Sequence, residues 1–224
     1  MTAEPRSGEP GVIGIIGAGR AGLAVVRRAL DAGYTVKVAT AGPIGTTAPL
    51  VSAAAPGAVV VTTPELADDA DLLVLAVPLH RFRELPLPVF ASHVVIDMMN
   101  YWPPVDGVLP GFDGSARPSS VLVAEALPAG TRLVKAFNHF SYRQLEELAR
   151  PIGAPDRVGL AISGDDPGAV EVVSAVVDRL GFDPVPAGDL NASAVLQPGS
   201  SLFGSVLDGA AMRRLLDATR IAAA

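Results

Sequence analysis

Residues 14–24 read GIIGAGRAGLA, and this stretch limits the fold more than any other part of the chain. A short apolar run (Val12, Ile13, Ile15, Ile16) enters Gly17-Ala18-Gly19-Arg20-Ala21-Gly22, and an amphipathic stretch, residues 23–30, leaves it. That is the pattern of a strand, a tight glycine turn and a helix, the context in which G-x-G-x-x-G acquires a physical meaning. Gly17 permits the sharp turn, Gly19 lets the backbone come close to a ligand, and Gly22 lets the helix pack on the strand. The free N–H groups and the positive dipole end of the helix then favour a bound pyrophosphate. Gly17, Ala18, Gly19, Arg20, Ala21 and Gly22 are therefore expected to hold a dinucleotide. The competing reading is an ordinary glycine-rich turn between strand and helix.

The same alternation runs along the chain. Strands are expected at 11–16, 34–39, 58–62, 71–77, 94–98 and 133–137, and helices at 20–32, 47–54, 64–69 and 119–127. Repeated strand–helix units of this kind predict an α/β fold, a Rossmann doubly wound parallel sheet. The pattern continues with a helix at 141–149, a strand at 157–162, a helix at 169–180 and a short strand at 182–185. Asp165-Asp166-Pro167 marks a helix start and Gly181 a helix end. A terminal helix is expected at 202–221. The Pro/Gly-rich stretch 150–155 reads as a linker. It divides a dinucleotide-binding domain at 11–150 from a small C-terminal α/β domain at 151–224, and residues 1–10 read as a flexible tail.

Composition narrows the functions. Half of the 224 residues are hydrophobic, the formal net charge is −6, and no basic stripe is present, which argues against nucleic acid or an anionic membrane as partner. There are no cysteines, so disulfides, thiolate catalysis and cysteine-bound metal are excluded. No apolar run reaches the roughly 18 residues of a membrane span. Three histidines without metal-ligand spacing predict no metal site, and no G-x-S-x-G elbow is present. These features predict a soluble, cytoplasmic protein. The apolar terminal helix suggests a homodimer, although burial within one chain explains it equally well.

The strand ends give the remaining candidates, because ligands of open α/β sheets bind outside the carboxyl ends of the strands. An acidic residue usually ends the second strand of an NAD site, yet none occurs between Ala32 and Pro64. Its absence favours NADP(H), with Thr40 and Ala41 beside the ribose and Arg20 as the nearest cation. After the fourth strand Val77, Pro78 and His80 are expected to wall the nicotinamide pocket, with a solvated loop as the alternative for His80. Asn100 follows the fifth strand, and Asn138 and His139 follow the sixth. Two polar residues between Phe137 and Phe140 are unusual for plain core, so Asn138 and His139 are the expected catalytic positions.

Taken in order, GIIGAGRAGLAVVRRALDAGYTV, DLLVLAVP, VVIDMMNYWP, RLVKAFNHF and SGDDPGAVEVVSAVVDRLGFDPVPAGDL resemble the NADPH:coenzyme F420 oxidoreductases, above all their actinobacterial dinucleotide-binding members. The resemblance implies a Rossmann domain with a small C-terminal domain, and hydride transfer between nicotinamide C4 and C5 of a deazaflavin (coenzyme F420) in a shared cleft. It places Gly17, Gly19, Arg20 and Gly22 on the phosphate turn, Thr40 by the 2′-phosphate, and Asn138 and His139 on the segment facing the deazaflavin. Residues 190–196 approach the same cleft. The chain departs from the family at Ala41 and Ala194, where arginine is common, and at Gln197, where glutamate is. Alternatives are an NAD(P)H-dependent reductase of a small imine or carbonyl compound, and a non-catalytic dinucleotide sensor.

Overall fold

The computed structural model describes residues 10–223; the tail expected over 1–10 lies almost wholly outside the described residues. The elements are β1 (Val12–Ile16), α1 (Arg20–Asp31), β2 (Thr35–Ala39), α2 (Ile44–Ala54), β3 (Val59–Val61), α3 (Thr63–Asp69), β4 (Leu72–Leu75) and β5 (Val94–Asp97). They continue with α4 (Pro103–Asp106), α5 (Ser119–Ala126), β6 (Arg132–Lys135), α6 (Tyr142–Glu147), β7 (Gly159–Gly164), α7 (Pro167–Arg179), β8 (Asp183–Gly188) and α8 (Gly209–Ala223). Short 3₁₀ turns occupy Leu79–Glu84, Leu87–Phe90 and Asn191–Leu196.

One eight-stranded sheet runs in the order β3-β2-β1-β4-β5-β6-β7-β8. Its first six strands are parallel and follow the Rossmann order, with the switch in winding order between β1 and β4. Successive strand residues serve opposite faces. Leu72 and Val74 join Ile13, Ile15 and Val36 under α1, α6 and α7, whereas Leu73 and Leu75 join Ile16 and Val95 under α3, α5 and the 3₁₀ turns. Burial on both faces is what makes these strands continuous apolar runs rather than alternating ones. Helix starts are fixed locally. Thr62 with Glu65 and Ser141 with Gln144 form capping boxes, and Asp166 accepts a hydrogen bond from Ala169 N at 2.7 Å ahead of Pro167.

The sheet is not parallel throughout: β7 runs antiparallel to β6, pairing only through Val134–Gly164 and Lys135–Ser163. The 150–155 segment does the turning. Arg150 N donates to Gly181 O, and buried Arg157 reaches the Asp183 and Asp178 carboxylates, Arg150 O and Phe182 O. The start of β7 is thereby anchored on the α7–β8 corner, not beside β6. With that register, the first half of β7 projects past the carboxyl end of β6, and the C-terminal elements lie over the strand tips. Gly204 N donates to His139 O at 2.7 Å, and Leu196 O accepts from Asn138.

The terminal helix begins at Gly209, not at 202. Gly204 has φ +78°, and the Asp208 carboxylate caps Ala211 N at 2.7 Å, which fixes the start. Its apolar face is covered within the chain: Met212 and Leu216 pack with Ala161, Val185, Ala187, Leu196 and Leu202. Among the described residues no helix is long and apolar enough to cross a membrane.

Candidate functional site

The glycine turn is built as its spacing requires. Gly17 has φ +113°, a conformation that side chains rarely adopt, and a Cβ there would lie 2.4 Å from Ala76 O. At Gly22 a Cβ would come within 2.1 Å of Gly17 O, so only hydrogen fits where α1 crosses the turn. Gly19 differs: its φ of −72° suits any residue, and a Cβ there meets no heavy atom within 4 Å. It is the N-cap of α1, no side chain caps it, and the first turn carries no acidic residue. The N-terminal N–H groups of a twelve-residue helix thus face an open space, the arrangement that favours an anion.

That space is a cavity of about 420 Å³. Gly17, Ala18 and Gly19 form one side, Thr40 and Ala41 beyond β2 another, and Val77 and Pro78 beyond β4 a third. Seven of the residues singled out in the sequence therefore meet in one place. Ile16, Ala39 and Ala76 at the strand ends also line it, and Thr63, Arg81, Glu84, Leu85 and Pro86 complete the walls. None of these five is marked by the glycine motif, because each reaches the cavity through the packing of α3 and the 79–90 turns on the sheet. Arg20 and Ala21 are exposed on the first turn of α1, with the Arg20 guanidinium 5.4 Å from the ring centre of Tyr142. Arg20 and Arg143 beside Tyr142 hold its phenol below the ordinary tyrosine range.

The other expected positions fall elsewhere. His80 does not line the cavity; its Nδ1 lies 2.9 Å from the Asp106 carboxylate, and its N–H donates to the same oxygen at 3.1 Å. It ties the turn after β4 to α4. Asn100 and Asn138 hold each other across the tips of β5 and β6. Asn100 Nδ2 donates to Asn138 O at 2.8 Å, and Asn138 Nδ2 donates to Asn100 Oδ1 at 2.9 Å and to Leu196 O at 2.7 Å. The Asn138 Oδ1 atom is buried without a hydrogen-bond partner. Phe137, at φ 64°, turns the chain here; this left-handed conformation costs a non-glycine residue about 1 kcal/mol or more.

His139 is completely buried, its ring 4.6 Å from that of Phe140, and neither ring nitrogen has a partner. Burial, reinforced by the nearby Lys135 ammonium, lowers its pKa to about 3, so the imidazole is neutral at physiological pH. His139 does not line the cavity, and its ring has no exposed surface. Beneath it lies a network that the sequence pattern hides inside apolar strands. Lys135 Nζ donates to Asp97 Oδ2 at 3.1 Å and to Met99 O, while Asp97 also accepts from Met99 N at 2.9 Å and Ser120 Oγ at 2.8 Å. Burial pulls the Lys135 pKa down and Asp97 opposes the shift. The pair fixes the Met99–Asn100 backbone at the tip of β5. Among the described residues no group of three or more His, Cys, Asp or Glu could hold a metal ion.

Residues 12–101, which carry the glycine turn and the tips of β2, β4 and β5, match the model of the family "NADP oxidoreductase coenzyme F420-dependent". The match covers the amino-terminal part of the chain, from β1 to just past β5. The solved structure of the hypothetical protein SMa0349 from Sinorhizobium meliloti is 27% identical to this chain with a TM-score of 0.72, and the match covers 88% of this chain and 94% of SMa0349. A protein from Arthrobacter sp. FB24 assigned as an F420-dependent NADP reductase has a TM-score of 0.68 at 20% identity, covering 92% of this chain and 94% of its own, and shares the fold. The Escherichia coli (strain K12) protein YjhV is 36% identical over 64 residues. That match spans 29% of this chain and 47%, about half, of YjhV.

Proposed function

We propose that the chain is an NADP(H)-dependent oxidoreductase that moves hydride between nicotinamide C4 and the C5 atom of a deazaflavin of the coenzyme F420 type. The observation that carries this reading is the cavity in which Gly19 opens onto free space between the α1 amino end and the tips of β2 and β4. Its residues fit a dinucleotide: a backbone cradle without competing carboxylates at the helix end, and an apolar floor for flat rings.

In this reading Gly17, Ala18, Gly19 and the Arg20–Gly22 turn bind the diphosphate, with the N–H groups of α1 as donors. Thr40 and Ala41 border the adenosine ribose. Val77 and Pro78 keep one side of the nicotinamide ribose dry. The Asn100–Asn138 clasp and the Lys135–Asp97 pair hold the strand tips still, so that two flat reactants meet at a fixed spacing. The nicotinamide, when bound, supplies or receives the hydride, and no side chain is required to form a bond to substrate.

The assay mixes purified protein, NADPH and the oxidised deazaflavin and follows the deazaflavin visible absorbance. Bleaching at a rate proportional to protein concentration is expected. Binding of NADPH without bleaching would contradict the deazaflavin part of the proposal, and consumption of NADPH on addition of a cyclic imine would then identify a small-substrate reductase.

A further inference from the structure

The chain has an unusual shortage of cations near the proposed nucleotide site. After Lys37 the next lysine or arginine in the sequence is Arg81. Lys37 is paired with Asp69, and Arg20 lies over Tyr142. Among the described residues that line the cavity, Arg81 is the single cation and Glu84 the single anion. They sit one turn apart in Leu79–Glu84, directly after Pro78, with Arg81 Nε 2.8 Å and Nη2 2.7 Å from Glu84 Oε2. Both side chains are about half exposed, 46% and 57%, so this is a weakly held pair that can exchange partners.

We propose that Arg81 and Glu84 together read the 2′ position of the adenosine ribose. This rests on the dinucleotide reading of the cavity above. Thr40, Ala41 and Thr63 border the same cavity on the β2–β3 side, so an adenosine beyond the tip of β2 lies between these residues and the 81–86 wall. A 2′-phosphate draws Arg81 away from Glu84, because a guanidinium–phosphate contact is bidentate and charge-assisted. Glu84 works in the opposite sense. Its carboxylate repels the phosphate and accepts a hydrogen bond from the free 2′-hydroxyl of NAD(H). The balance of the two, rather than a basic residue after β2, sets the nucleotide preference.

Titration calorimetry with NADPH and with NADH on wild type, Arg81→Ala, Arg81→Lys and Glu84→Gln tests the assignment. Arg81→Ala is expected to weaken NADPH about tenfold and leave NADH within about twofold, since one charge-assisted contact is lost. Arg81→Lys restores part of the loss, and Glu84→Gln shifts the NADPH:NADH ratio the other way. Equal weakening of both nucleotides by Arg81→Ala, or no change, would overturn the role of Arg81 while leaving the dinucleotide site standing. Failure of the wild-type protein to bind either nucleotide would overturn the underlying reading instead. Melting temperatures without ligand, equal across the four proteins, confirm that these exposed substitutions leave the fold intact.

Discussion

A methyl group at Gly22 would lie 2.1 Å from the Gly17 carbonyl oxygen, whereas one at Gly19 would meet nothing within 4 Å. The two glycines of one motif are therefore separable: the first is required by packing, whereas the second borders open space, which the proposed site assigns to the ligand. Gly22→Ala is expected to destabilise the chain by about 1–3 kcal/mol, as overpacking of a tight contact does, measured by denaturant unfolding. His139 gives a second residue-scale prediction. Its folded pKa of about 3 lies below the ordinary histidine value, so the unfolded chain binds the extra proton between these limits. Stability contributed by the neutral ring is complete above about pH 6.5 and is lost as pH falls toward 3, by about 1.4 kcal/mol per unit within that window. Between pH 6.5 and 5 the wild type is expected to lose about 2 kcal/mol more than His139→Gln. Parallel losses would show that His139 does not titrate on unfolding.

At the level of elements, β6 is an apolar strand that ends in a charge. Lys135 and Asp97 are 0% and 1% exposed, and each is bonded to the backbone or side chains of the tip of β5. Removing one partner strands the other charge in the interior. Asp97→Asn or Lys135→Met is therefore expected to cost about 3–5 kcal/mol, and the double change less than the sum. A cost under 1 kcal/mol in urea unfolding would contradict a structural role for the pair. Much of this level was legible in the sequence. The first six strands and their order of helices follow from apolar runs separated by Gly, Pro and capping residues, and Asp166-Pro167 and Gly181 mark α7 from both ends. The antiparallel β7 was not legible, because its start is held by contacts distant in sequence, from Arg157 to Asp178, Phe182 and Asp183, that have no local signature. The terminal helix read too early because the apolar residues Leu202 and Phe203 belong to a turn that Gly204 and Asp208 close.

For the molecule as a whole, the cavity lies at the carboxyl ends of β1, β2 and β4, where the strand order switches between β1 and β4, and the C-terminal elements overhang the tip of β6. The sequence singled out the cavity-lining residues that directly follow β1, β2 and β4: Gly17, Ala18, Gly19, Thr40, Ala41, Val77 and Pro78. It could not locate Thr63, Arg81 or Glu84, which arrive through packing of separate elements, and it could not tell that His80 would turn to Asp106 or that His139 would be sealed in the core. The central claim is that a pyridine nucleotide lies with its diphosphate against the amino end of α1. Thermal unfolding of the wild type and of Gly19→Leu, each with and without NADPH, tests it most directly. At a ligand concentration of about one hundred times Kd, NADPH should stabilise the wild type by about 2.7 kcal/mol, and more than NADH at equal concentration. Gly19→Leu should melt at the wild-type temperature without ligand and show no shift with it. An undiminished NADPH shift in Gly19→Leu, or none in the wild type, would contradict the account.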